Sequence, residues 1–192
     1  MSEKELPKYP NYRGTLGSSL PVVGALMASV SAALLAVPLV KEGSHGEELA
    51  VLPWNTDQLA ICFGVLALIL FSFAAICGLY AHAMTVDQVD KETLNEMFTE
   101  WSDDAKKTKI AGWRTSGDSY YGKAARAWVS GASSLCITIG LIAYGEVWIL
   151  LPVLSCLSGL IAFMSRQEGS SGCLTALLFV GVSVVMFLSS VL

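Results

Sequence analysis

The chain has 192 residues, 54% of them hydrophobic and 15% charged, with a formal net charge of −4. Soluble domains usually carry about a quarter charged residues, yet Asp, Glu, Lys and Arg are absent from Leu20–Val40, Gln58–Val86, Ala127–Gly145, Val147–Ser165 and Gly169–Leu192. This excludes a soluble globular domain, a disordered chain and a disulfide-stapled secreted module, and the lack of a basic patch excludes nucleic acid as a partner.

Uncharged apolar runs of about 18 or more residues are long enough to cross hydrocarbon as helices. The expected fold is therefore an all-α integral membrane protein with about five transmembrane helices and one cytoplasmic amphipathic helix between the second and third. A transmembrane β-barrel would need strands that alternate apolar and polar, and Gly64–Gly78 is apolar on every face. The expected divisions are a cytoplasmic N-terminal tail (1–19), two helices with a short acidic external loop (20–84), a cytoplasmic amphipathic helical loop (85–124) and three further helices (125–192).

The tail carries Lys4, Lys8 and Arg13 ahead of the first run. A secretory signal has an apolar core of only about 7–15 residues, so Leu20–Val40 reads as a retained signal anchor, with cleavage as the alternative. Ser18 or Ser19 before Pro21 predicts an N-cap with proline in the first turn. The first loop holds Lys41 against Glu42, Glu47, Glu48 and Asp57. The long loop holds Lys91, Lys106, Lys107, Lys109, Arg114, Lys123 and Arg126, and the last turn holds Arg166. With five spans and the N-terminus inside, all of these positive charges except Lys41 fall on the cytoplasmic side. The expectation is a plasma or inner membrane with the N-terminus cytoplasmic and the C-terminus external.

In the long loop Val86, Val89, Thr93, Met97, Trp101 and Ala105 recur at helical spacing, with Leu94 and Phe98 beside them. Thr85 and Gln88 fit a capping box. Early acids and the cluster Lys106, Lys107 and Lys109 match the macrodipole of a helix ending near Lys109. Its stripe of Met97, Phe98 and Trp101 is expected to dock onto a partner or onto the chain's own helix ends. Whether the segment lies on the surface or extends the second span as a stalk is open on sequence. Trp113, Tyr120, Tyr121 and Trp128 mark the return to the interface.

Ala127–Ser165 as one helix would be about 58 Å long, against roughly 30 Å of hydrocarbon. Tyr144, Gly145 and Glu146 supply the break, which predicts a tight helical hairpin with Pro152 in the first turns of its second arm.

Little chemistry is expected inside the spans. His45 and His82 are separated by most of the bilayer, so one chain does not offer both to a haem. Cys62, Cys77, Cys136, Cys156 and Cys173 include no C-x-x-C and read as small hydrophobes, so no disulfide, metal or other cofactor is expected. Ser133 and Ser134 lack a basic partner at their depth, and no carboxylate lies at mid-depth. The chain reads as a non-enzyme.

Small residues mark the helix contacts. Gly24, Ala28, Ala32 and Ala36 recur at i, i+4, with Ala25, Ser29 and Ala33 in an adjoining row. Ala127 and Gly131 repeat the pattern on the third span. Ser155 with Gly159, and Gly172, Ala176 and Gly181, are weaker instances. Ser130, Ser134 and Thr138 form a polar stripe that suits either packing or a polar path. The expected function is a non-catalytic structural or accessory subunit of a membrane complex, its partners being membrane lipids and other transmembrane subunits or copies of itself. The alternative is a homo-oligomeric pore or channel-type effector gated through the cytoplasmic helix.

Overall fold

The computed structural model describes residues 12–40, 48–49, 52–85, 102–164 and 170–192. They form five helices: α1 (Tyr12–Val40), α2 (Thr56–Thr85), α3 (Asp103–Ala143), α4 (Leu150–Met164) and α5 (Ser170–Val191). Four contain segments long and apolar enough to cross a membrane: Ser19–Leu39, Thr56–His82, Thr115–Ala143 and Cys173–Val191. The fifth, α4, has 15 residues, a rise of about 22 Å. It is shorter than its uncharged run because residues 144–149 are spent on a turn. That turn is the expected hairpin: Glu146 and Val147 amides donate to the Ala143 carbonyl at 3.1 and 2.8 Å, and Leu150 donates to Val147 at 2.9 Å.

Two boundaries differ from the sequence reading. The first helix starts at Tyr12, so neither Ser18 nor Ser19 is its N-cap. Pro21 lies in its interior, where its ring packs 3.1 Å from the Cβ position of Gly78. The lysine cluster 106–109 does not end a helix either. Ser102 caps the start of α3, its hydroxyl accepting from the Ala105 amide at 3.3 Å, and Asp103 and Asp104 occupy the first turn. An N-cap serine followed by acids complements the positive end of the macrodipole. The lysines fall just inside this start, and the 41-residue helix runs on unbroken into the apolar segment. The stripe Met97, Phe98 and Trp101 lies outside the described residues.

The helices form an antiparallel meander: α1 packs on α2, α2 on α3, α3 on α4 and α4 on α5, with α3 also reaching α1 and α5. The α1–α2 register is set by three close approaches, Pro21 on Gly78, Gly24 on Ala75 and Leu35 on Gly64. Two apolar clusters fill the interior. One joins Ala28, Ala67, Phe71 and Leu135. The other joins Leu59, Ala60, Ile137, Leu141, Leu151 and Met186 near the 144–149 turn, where Leu49 of the first loop closes it. Asn55 caps α2, its side-chain oxygen accepting from the Gln58 amide at 2.9 Å.

Candidate functional site

The bundle is small and hydroxylic inside and bulky and aliphatic outside. Ser31, Ser133, Ser134, Thr138, Ser155 and Ser158 are fully buried, whereas Leu26, Ile69, Leu79, Leu160, Leu177 and Leu188 are exposed. Water would favour the reverse arrangement. A lipid-solvated bundle has no hydrophobic drive to hide leucine and gains from close backbone approach at small residues.

On α1 the small residues divide between two directions. Gly24 and Ala28 are buried against α2, and a Cβ at Gly24 would lie 3.0 Å from the Ala75 amide nitrogen and 3.1 Å from the Phe71 carbonyl. Ala32 and Ala36 are exposed, and so are Ala25, Ser29 and Ala33. The buried face of α1 is instead Pro21, Gly24, Ala28, Ser31 and Leu35. The reason is geometric. A strict i, i+4 row rotates about 40° per step on a helix of 3.6 residues per turn, so Ala36 points about 120° away from Gly24. Alternating steps of three and four keep to one seam.

On α3, Ala127 and Gly131 are both buried. The Phe71 ring covers Gly131 and meets Trp128 edge-on, centroids 6.2 Å apart at 72°. Trp128 thus belongs to the α2–α3 contact rather than only to an interface. Tyr120 stacks on Tyr80 at 5.4 Å, with the Lys123 ammonium 4.9 Å from the Tyr120 ring centre.

The expected polar stripe lies inside the chain. Thr138 packs beside Gly64 and donates to the Ser134 carbonyl at 2.9 Å. A second group of hydroxyls, whose pairing local sequence pattern does not reveal, ties α3, α4 and α5 together. Ser133 donates to the Ser158 carbonyl at 3.3 Å, the Ser158 and Ser183 hydroxyls bond at 3.2 Å, and Ser183 reaches the Phe179 carbonyl at 2.7 Å. Ser133 attracts notice in sequence only by residue type, and its partners come from register between helices. Among the described residues, the buried Trp128 Nε1, Ser134 Oγ and Ser155 Oγ have no hydrogen-bond partner.

Ser130, the remaining stripe residue, borders a crevice with Ser133 where α3, α4 and α5 meet. Arg126 and Val129 of α3, Ala162 of α4, and Thr175 and Phe179 of α5 complete most of its wall. The Arg126 side chain is braced along its own helix, Nε donating to the Gly122 carbonyl at 3.1 Å.

His82 is half-buried near the end of α2, and His45 lies outside the described residues. Among the described residues no three His, Cys, Asp or Glu side chains converge to a metal-binding group. Gly181 of α5 has nothing within 4 Å of its Cβ position. The chain matches no protein-family model, no curated protein and no solved structure.

Proposed function

We propose that this chain is a non-catalytic membrane protein of five spans, N-terminus cytoplasmic and C-terminus external, that serves as a structural or accessory subunit of a membrane complex. The observation that carries the reading is the outward row Ala25, Ser29, Ala32, Ala33 and Ala36, left open after α1 has packed on α2. A surface facing only lipid gains nothing from being small, whereas a surface facing another helix gains close van der Waals contact. The occupant of this row is another transmembrane subunit or a second copy. In the same reading the short α4 spans a locally thinned bilayer, and the lysines and arginines of the tail and long loop face the cytoplasm.

The hydroxyls support packing over conduction. Ser134 and Thr138 are fully buried within one chain, where Thr138 donates to the Ser134 carbonyl, which suits helix packing. Ser133 spends its proton on the Ser158 carbonyl, which gives no support to a nucleophile.

Purification from native membranes in mild detergent tests the reading. The expected particle is larger than the 20.4 kDa chain in its micelle. Recovery as a lone monomer with no crosslinked partner contradicts it.

A further inference from the structure

We propose that the bundle presents two hydrophobic thicknesses to the bilayer, and that its short flank along α4 is a surface for phospholipids of short acyl chain. The inference rests on the membrane reading above and adds a lipid class to it.

Register between the helices fixes the two heights. Gly140 lies against Leu151, and Ser133 donates to the Ser158 carbonyl. Helices α3 and α4 therefore run antiparallel, with each residue gained along one matched by a residue lost along the other. Met164, which ends α4, then stands level with Ala127 of α3. On α2 the matching pairs are Phe71 with Gly131 and Tyr80 with Tyr120. Tyr80 thus reaches about 8–10 Å farther toward the cytoplasmic end than Met164 does, at 1.5 Å per residue. At the other end Leu59, Leu141 and Leu151 share one buried cluster, so the three helices are flush there. The whole difference falls at one end.

Apolar side chains face outward up to both heights. On α2, Ile76, Leu79 and Tyr80 are exposed. On α4, Leu160, Phe163 and Met164 are exposed, Met164 at 76%, and the sequence then turns to Ser165, Arg166, Gln167 and Glu168. The change on α3 comes at the same height, because Arg126 is its last charged residue before the uncharged run to Ala143. Ala127 to Ala143 rises about 24 Å, and Leu59 to Tyr80 about 32 Å. The longer flank matches a hydrocarbon slab of roughly 30 Å. The shorter one does not.

A hydrophobic surface shorter than the slab thins the bilayer beside it, at a cost that grows with each ångström of mismatch. Lipids with shorter acyl chains relieve that cost, so they are favoured along α4. The outward side chains of α4 are bulky, whereas contacts between membrane helices are built on small residues. This favours lipid over a protein helix as the occupant of the flank.

The test uses the full-length chain in phosphatidylcholine vesicles, in a background with all five cysteines replaced by alanine. Phe163→Cys on α4 and Leu79→Cys on α2 each carry a bimane label, quenched by a nitroxide-bearing dioleoyl phosphatidylcholine. Dimyristoleoyl phosphatidylcholine, with short chains, or dierucoyl phosphatidylcholine, with long ones, then competes with the quencher. Recovery of fluorescence reads the local preference between them. The preference for the short lipid at Phe163 should exceed that at Leu79 by at least about threefold. A smaller difference, or the reverse order, overturns the proposal. Quenching at Leu79 without quenching at Phe163 also overturns it, because a protein surface then covers α4. Failure of the membrane reading shows separately, as a chain that does not float with the vesicles and is quenched at neither position.

Discussion

The Phe71 ring lies flat against the backbone of Gly131: a Cβ there would stand 3.1 Å from both Cδ1 and Cε1 of the ring, which is itself fully buried. The ring also meets Trp128, one turn before Gly131 on α3, at 6.2 Å and 72°, and its full burial leaves it little room to withdraw. Gly131→Ala should therefore lower stability by about 1–3 kcal/mol, the usual cost of overpacking. Gly181→Ala, in open space on α5, should be neutral or slightly stabilising through helix propensity. Thermal unfolding in detergent, followed by circular dichroism, compares the two. Equal melting temperatures would show that the α2–α3 contact is looser than described.

The two groups of small residues on α1 should respond differently to the same substitution. Ala28→Leu pushes side-chain atoms into the α1–α2 contact and should lower the melting temperature of the isolated chain, again by about 1–3 kcal/mol. Ala32→Leu and Ala36→Leu point outward and should leave that temperature unchanged while shrinking the particle recovered in mild detergent. Size-exclusion chromatography with light scattering reads the second effect.

Much of the fold is legible in the residues because the bilayer imposes length and forbids charge. The uncharged runs locate the apolar helices, and Gly145–Glu146 locates the hairpin. What the sequence obscures has physical causes. The lysine cluster at 106–109 resembles a helix end, but Ser102, Asp103 and Asp104 just before it are a start signal, and the helix obeys them. The row from Gly24 to Ala36 reads as a single face until the drift of a 3.6-residue helix turns its last members outward. The bond between Ser158 and Ser183 joins two helices, and its register is not recorded in local pattern.

The buried hydroxyls should divide by whether they are partnered. Ser183 bonds both Ser158 and the Phe179 carbonyl, and Ser183→Ala should cost about 0.6–1.7 kcal/mol, the range for hydrogen bonds between membrane helices. Ser134 Oγ has no partner among the described residues, so Ser134→Ala removes a desolvated group that makes no bond. It should be neutral or stabilising. Steric-trap or detergent unfolding measurements separate these outcomes, and a larger loss from Ser134→Ala would contradict the described bonding.

Orientation has its own readout. Trp148 in the 144–149 turn is exposed, and in the proposed topology it faces outward, opposite to Lys123. In a background with all five cysteines replaced by alanine, Trp148→Cys should react with a membrane-impermeant maleimide on intact cells. Lys123→Cys should react only after the cells are opened. The reverse pattern would invert the topology.

The central claim, that the outward row of α1 meets another protein helix, is tested most directly by site-specific photocrosslinking in native membranes. A diazirine side chain at Ala36 should give a discrete protein adduct heavier than the 20.4 kDa chain. The same group at Ile69, an exposed bulky position on α2, should label lipid only. Lipid labelling alone at Ala36, or the same protein adduct from both positions, would contradict the account.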